Sequence, residues 1–352
     1  MGLLMHRTEE LTRALSVRDL TDPAQGPHAI QLVVDAITAA LPGPVRVVRQ
    51  HPVVPVDHNY EHLGYPADAV TRDARYTRYV SETCMLRSHT SAMIPPALRR
   101  TSPNTTLVCP GMVYRRDTVD RLHTGTPHQL DVWRISDAPG DIDALVEAVV
   151  RAALPGAEYR TTPSEHPYTE TGRQVDVRHD GQWVEVGECG TAARHVLDRA
   201  GLPAGVHGLA SGWGLDRLLM LRKGVPDIRL LRESDPRVAR QMRDPAPYRP
   251  VSRHPRMIRD ISIATTPEAD LETIGAVVRD VVPEEVVEEI EILSETPVDE
   301  LPRQAAERLG ARPGQKNVLL RLTLRAPART LTDGEANEIR DRIYASLRAT
   351  PA

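Results

Sequence analysis

Arg115, Gln129 and Asp131 are the residues around which this sequence can do chemistry. They belong to the stretch LVCPGMVYRRDTVDRLHTGTPHQLDVWRI, Leu107 to Ile135. Alternating apolar residues from Thr106 to Tyr114 predict one strand, and His128 to Ile135 its return. A polar loop, Arg115 to Thr126, separates them and carries two adjacent arginines and His123. The two-residue period of the return strand puts Gln129, Asp131 and Trp133 on one face and Leu130, Val132 and Arg134 on the other. A planar guanidinium at the mouth of such a hairpin suits a phosphate or carboxylate, and an acceptor-only carboxylate suits an ammonium group. Those are the groups needed to join an amino acid to ATP. A single Arg-Arg-Asp turn is more often a surface hairpin with solvated charges. Specificity has to come from what surrounds it.

Upstream, Met85-Leu86-Arg87-Ser88-His89-Thr90-Ser91 predicts the opening of a helix that Pro95-Pro96 interrupts. Taken alone, His89 reads as a polar helix-start residue and Ser91 as a cap. Downstream, Asp141 to Leu154 is patterned as a helix. Strands are predicted at Tyr159–Thr162, Arg173–Arg178 and Gln182–Cys189, with a tight turn at His179-Asp180-Gly181. Gly208 to Leu218 (GLASGWGLDRL) reads as a glycine-rich strand running into a helix, where backbone can approach a ligand closely.

Tyr114-Arg115-Arg116-Asp117, then Asp120, His123 and His128-Gln129-Leu130-Asp131, resemble motif 2 of class II aminoacyl-tRNA synthetases, in the form used by phenylalanyl-tRNA synthetases. The Arg-x-His-Thr-Ser element at 87–91, the Ser164–Glu170 segment, the Trp183-Val184-Glu185 strand and the motif-3-like Gly208–Leu218 resemble further pieces of that family in order. The resemblance implies an α+β fold, a class II antiparallel sheet flanked by helices. It implies that Arg115 binds the α-phosphate of ATP and the substrate carboxylate, and that His123 and Arg217 take the outer phosphates. Pro127 would stand against adenine, where the family has Phe. His89, Ser91, Gln129 and Asp131 would hold the amino acid's backbone groups. Glu185 and Asp216 would be the carboxylates on the magnesium side. His166, Tyr168, Ala210 and Ser211 would surround the substrate side chain, His166 and Tyr168 replacing two Phe walls and Ser211 a third Phe.

Those departures coincide with a feature of the composition: Phe is absent, against 9 Tyr and 3 Trp. One explanation is removal of Phe wherever it occurred, which suits a synthetase made when phenylalanyl-tRNA is scarce. The other is a pocket re-cut for a more polar or hydroxylated aromatic amino acid. A non-catalytic tRNA-binding or regulatory homologue is a third reading, opposed by retention of Arg115, Gln129, Asp131 and Arg217 together. Loading of a carrier protein is disfavoured by the second domain.

The chain must position these groups with about two domains' worth of sequence, 352 residues at 40% hydrophobic and 26% charged. A net charge of −4 excludes a wholly basic nucleic-acid binder but not a local basic face. Three scattered cysteines without metal spacing favour reduced thiols and a cytoplasmic setting. No run predicts a membrane span. Helices are predicted at 6–17 and 27–41, a strand at Val45–Arg49, and irregular chain over 50–80. We divide the sequence into a catalytic domain over 1–243, a Pro/Arg/His-rich linker over 244–255 and a second domain over 256–352. The second domain's pattern of strand, helix, strand, short helix, strand and helix suits a small ferredoxin-like sandwich. By resemblance that sandwich is an anticodon-binding domain in the single-chain form of the family, with Arg321, Arg325 and Arg329 placed to track tRNA phosphate. ATP, magnesium, an amino acid and tRNA are the implied ligands, and a monomer or homodimer the implied assembly.

Overall fold

The computed structural model describes residues 8–73, 76–115, 121–252, 254–282, 286–326 and 329–349. They fall into two units, Met1–Arg249 and Pro250–Ala352. The first begins with α1 (Thr8–Leu15), α2 (Ala29–Ala40) and the edge strand β1 (Val45–Val47). The 50–86 region contains β2 (Val53–Pro55), α3 (Val56–Asn59), β3 (Arg78–Tyr79) and β4 (Cys84–Leu86), whose strands form a small sheet. Then come α4 (Ile94–Leu98), β5 (Thr105–Met112), β6 (His128–Ser136), α5 (Ile142–Ala153), β7 (Tyr159–Pro163), β8 (Thr169–His179) and β9 (Gln182–Ala192). After α6 (Arg194–Arg199), β10 (His207–Gly214) runs directly into α7 (Leu215–Lys223), and α8 (Pro236–Gln241) closes the unit.

A seven-stranded sheet ordered β1-β5-β6-β10-β9-β8-β7 carries this unit. Its pairs are antiparallel except β1 with β5. Behind it, α2 buries Ile30, Val33, Val34 and Ile37, and α5 buries Leu145, Val146, Val149 and Val150. Their spacing is that of a single helical stripe. Each such side chain contributes about 1.5–3 kcal/mol by leaving water, and α2, α5 and α7 pack on one another as a result. The opposite face, with Gln129 and Asp131, is the one the β4–α4 connection covers.

Two local expectations change. Met85-Leu86 ends a strand instead of opening a helix, and Thr90–Met93 forms one 3-10 turn. Pro95 and Pro96 start α4 rather than interrupting a helix. The missing N–H of a proline has no intrahelical acceptor in a first turn, so nothing is lost there. Residues 244–249, expected in a connector, are held to the first unit. The Lys223 ammonium, almost fully buried, donates to the carbonyls of Asp244 (2.8 Å) and Ala246 (2.5 Å), and Tyr248 N–H donates to Lys223 O (2.7 Å).

The second unit contains β11 (Met257–Thr265), α9 (Leu271–Val281), β12 (Val287–Pro297), α10 (Arg303–Leu309), β13 (Lys316–Leu324) and α11 (Asp333–Ala349). Its antiparallel sheet is ordered β11-β13-β12. Ile261, Ile263, Leu320 and Leu322 pack with Ile274 and Val278 of α9 and Ile343 and Leu347 of α11. Thr332 and Glu335 cap α11 reciprocally: Thr332 N–H donates to Glu335 Oε2 (2.8 Å) and Glu335 N–H to Thr332 Oγ1 (3.3 Å).

Candidate active site

One cavity of about 250 Å³, open to solvent at its mouth, gathers most of the residues singled out by sequence. The β5–β6 hairpin contributes Arg115, His123, Pro127, Gln129 and Asp131. The turn after β4 contributes His89 and Ser91, the segment before β8 contributes His166 and Tyr168, β9 contributes Glu185, and α7 contributes Asp216 and Arg217. Arg116, Asp117 and Asp120 of the hairpin loop lie outside the described residues.

Arg115 is aimed by its own backbone and its neighbours. Its Nε donates to Ser88 O (2.8 Å) and its N–H to Gly125 O (3.0 Å). Arg217 donates to Glu185 O (2.7 Å), and its other terminal nitrogen lies 3.4 Å from His123 Nε2. Both guanidiniums border the same space. Between them the wall is bare. A Cβ added at Gly212 would meet only Asp131 Oδ2, at 4.0 Å, and one at Gly214 nothing nearer than 3.8 Å. Neighbouring protein therefore does not require glycine there, and the bare strand face leaves room for a ligand to lie close to the backbone.

Asp131 is 2% exposed and accepts from Thr90 Oγ1 (2.6 Å) and Trp133 Nε1 (3.2 Å). The second contact puts Trp133 and Asp131 on one face, as the strand period requires. Burial pushes the Asp131 carboxyl up to about 6, with hydrogen bonds from Thr90, Ser91 and Trp133 opposing it. Gln129 Oε1 accepts from Thr90 N–H (3.3 Å). The His89 ring stacks on Tyr65 with centroids 5.6 Å apart, and neither ring nitrogen makes a hydrogen bond within the protein. Burial lowers its pKa to about 3 and the Arg115 charge adds to that, with the Asn59 backbone opposing. A buried imidazole with both nitrogens unsatisfied is a position a ligand can complete. His166 Nε2 sits 2.7 Å from Glu188 Oε2. Tyr168 is buried between Trp133, Tyr65 and His166, and burial raises its phenol well above the usual value.

Three placements differ from expectation. Asp216 reaches the cavity wall, but His128 engages both of its oxygens: the His128 N–H donates to Oδ2, and Nδ1 lies 2.8 Å from Oδ1. It is 3% exposed, and each of its oxygens already carries a contact to His128. Burial alone would raise its pKa, but the His128 contacts and Arg232 outweigh that and lower it. Ser211 points to the helix-covered face, where it accepts from Trp213 Nε1 (2.9 Å); strand alternation separates it from Gly212. Ala210 is on the cavity side but fully enclosed in the cluster that holds Trp133 and Tyr168, beneath the recess. In the second unit each of the three arginines is engaged by a carboxylate of that unit: Arg321 by Asp260 (2.9 Å), Arg325 by Glu288 (2.6 Å) and Arg329 by Glu335 (2.5 Å).

The family model of the tRNA synthetases class II core domain (F) matches residues 21–242. The chain belongs to that family. The phenylalanine–tRNA ligase alpha subunit of Synechocystis sp. is 34% identical over 246 residues, 68% of this chain and 72% of its own length. That of Prochlorococcus marinus is 35% identical over 232 residues, 63% of this chain and 69% of its own. A solved pyrrolysyl tRNA synthetase from Desulfitobacterium hafniense superposes with a TM-score of 0.46 at 16% identity, covering 63% of this chain and 77% of that one. That likeness adds nothing to the assignment. The family span ends before the second unit, which it leaves uncharacterised. Among the described residues no helix is long and apolar enough to cross a membrane.

Sequence reasoning missed Glu188, Tyr65 and the cluster around His128. Glu188 was hidden by a register shift: Gly187 pairs with Val175 but Glu185 with Asp176, so one residue of β9 is extra. The bulge turns Glu185 and Glu188 to the same side, which plain alternation forbids. Tyr65 lies in the stretch read only as irregular. His128 belongs to the motif-2-like stretch, which by itself gives it no role. It is fully buried, accepts at Nε2 from Leu20 N–H (3.1 Å) and Arg232 (2.9 Å), and joins Asp216 through Nδ1. A histidine beginning a buried strand, with an aspartate opening the motif-3 helix, was the available signal.

Proposed function

We propose that this chain is an ATP-dependent amino acid–tRNA ligase, activating phenylalanine or a related aromatic amino acid and transferring it to tRNA(Phe). The observation that carries it is the arrangement of Arg115 and Arg217 on one glycine-walled cavity, beside Gln129 and a buried Asp131. The amino-acid carboxylate attacks the α-phosphorus of ATP, the bond to the bridging oxygen breaks, and pyrophosphate leaves. The tRNA ribose hydroxyl then attacks the acyl carbon and AMP leaves. No protein nucleophile takes part, so catalysis is positioning plus neutralisation of charge on phosphate. Arg115 holds the α-phosphate and the substrate carboxylate together. Arg217 and His123 hold the outer phosphates. Ionised Asp131 takes the ammonium group, and Gln129, Ser91 and neutral His89 complete the backbone contacts. Glu185, exposed at the rim, would hold a magnesium ion, which would supply charge neutralisation for the phosphates.

The named relatives are alpha subunits. We therefore read this chain as part of a heteromeric enzyme in place of the monomer or homodimer expected from sequence. The 256–352 unit is proposed as a tRNA-contacting, anticodon-binding module on its strand and helix order alone. Exposed pairs such as Arg321–Asp260 contribute little to stability, so phosphate can compete for those arginines. ATP–pyrophosphate exchange over an amino-acid panel, followed by charging of purified tRNAs, tests the proposal. Exchange with an aromatic amino acid is the expected result, and absence of exchange with every amino acid would reject it.

A further inference from the structure

We propose that the amino-acid recess selects an aromatic substrate bearing a hydrogen-bond donor on its ring, a hydroxyl or amino group, through Glu188 and His166. This deepens the ligase reading and rests on it. Tyr65 and Tyr168 line the recess as aromatic sides of a slot, and the buried Trp133 packs behind Tyr168 with ring centroids 6.2 Å apart. At one end of that slot stands a carboxylate. The bulge in β9 turns Glu188 toward the cavity, which it lines. Its contacts are lopsided: His166 Nε2 (2.7 Å) and the Tyr168 hydroxyl (3.5 Å) both meet Oε2. No described residue donates to Oε1. His166 Nδ1 is buried and also without a partner.

A bare phenyl ring in this slot would desolvate the carboxylate–imidazole pair and return no hydrogen bond to it, which is unfavourable. A ring hydroxyl or amino group restores one at Oε1. The two acidic groups then divide the substrate between them. Asp131 takes the α-ammonium, and Glu188 takes the ring substituent. Loss of Phe from the sequence does not explain this end of the pocket. Replacing Phe by Leu or Tyr supplies an aliphatic or phenolic wall, not a carboxylate.

The test is ATP–pyrophosphate exchange by the protein purified with any subunit that accompanies it. The panel is phenylalanine, tyrosine, 3-hydroxyphenylalanine, 3-aminophenylalanine and lysine. A site built around a substrate hydrogen bond strongly rejects the analogue lacking it. One ring-substituted amino acid is therefore expected to exceed phenylalanine in kcat/KM by about tenfold or more. Glu188→Ala should erase that preference while leaving the KM for ATP unchanged. Phenylalanine equalling or exceeding the substituted rings, or lysine leading the panel, overturns the inference while leaving the ligase reading standing. So does a Glu188→Ala variant that slows all substrates equally. The wild-type panel decides even where the variant does not fold. Exchange with no amino acid at all is the separate result that removes the ligase reading and the inference with it.

Discussion

Asp131→Asn should stabilise the fold and weaken the enzyme, and the two effects have separate magnitudes. The Asp131 carboxyl ionises near 3.8 when exposed and at about 6 in the folded chain, because burial penalises its charge. At about 1.36 kcal/mol per pKa unit, that gap is about 3 kcal/mol. Its sign follows from proton uptake. Between the two values the folded state binds the proton more tightly, so stability falls as pH rises from 3.8 to about 6 and stays low above. Asparagine keeps the shape and carries no charge. Its amide can donate to Thr90 Oγ1 while its carbonyl accepts from Trp133. The variant should therefore exceed wild type by roughly 2–3 kcal/mol at pH 8 and by little at pH 4, apart from a constant offset. Urea denaturation followed by tryptophan fluorescence isolates the relevant unit, since Trp133, Trp183 and Trp213 all lie in it. In the same variant the lost charge–ammonium contact should weaken amino-acid activation about 10–100-fold. A stability difference independent of pH would refute the claim that the buried charge is what burial opposes.

Other perturbations separate the remaining roles. Arg217→Ala should lower the ATP–pyrophosphate exchange rate about 10²–10³-fold with the melting temperature little changed, since its contacts are near the surface. His128→Ala leaves Asp216 buried without its main partner and should cost about 3–5 kcal/mol, read by urea denaturation. Because the Asp216 pKa is lowered, the stability it provides in wild type is present at neutral pH and lost as pH falls through the acid range. Synthesis of a chain without Phe never draws on phenylalanyl-tRNA. Its expression should hold while Phe-containing controls fall under phenylalanyl-tRNA depletion, measured by pulse labelling, and an equal fall would contradict that.

The site was legible where chemistry and period coincide. Gln129, Asp131 and Trp133 share a face because a strand alternates, and Arg217 follows the glycine run because β10 passes straight into α7. The resemblance sets Ser211 at the substrate side chain, in the place of a Phe; its alternation with Gly212 along β10 turns it to the other face. Glu188 was invisible because a bulge is a property of strand pairing, which a single sequence does not display. The pairing of Asp216 with His128 is not legible in the sequence because the two lie 88 residues apart. The arginines of the second unit read as a basic face until their neighbours across the sheet or in the next turn, Asp260, Glu288 and Glu335, came beside them.

The most direct measurement is a crystal structure of the protein with a non-hydrolysable aminoacyl-adenylate analogue. The analogue should lie in the glycine-walled cavity, its phosphate-equivalent group within hydrogen-bond reach of Arg115 and its ammonium on Asp131. Arg217 should lie on the same nucleotide, on the side where pyrophosphate departs. An analogue bound elsewhere, or the two guanidiniums turned to different parts of the molecule, would contradict that arrangement.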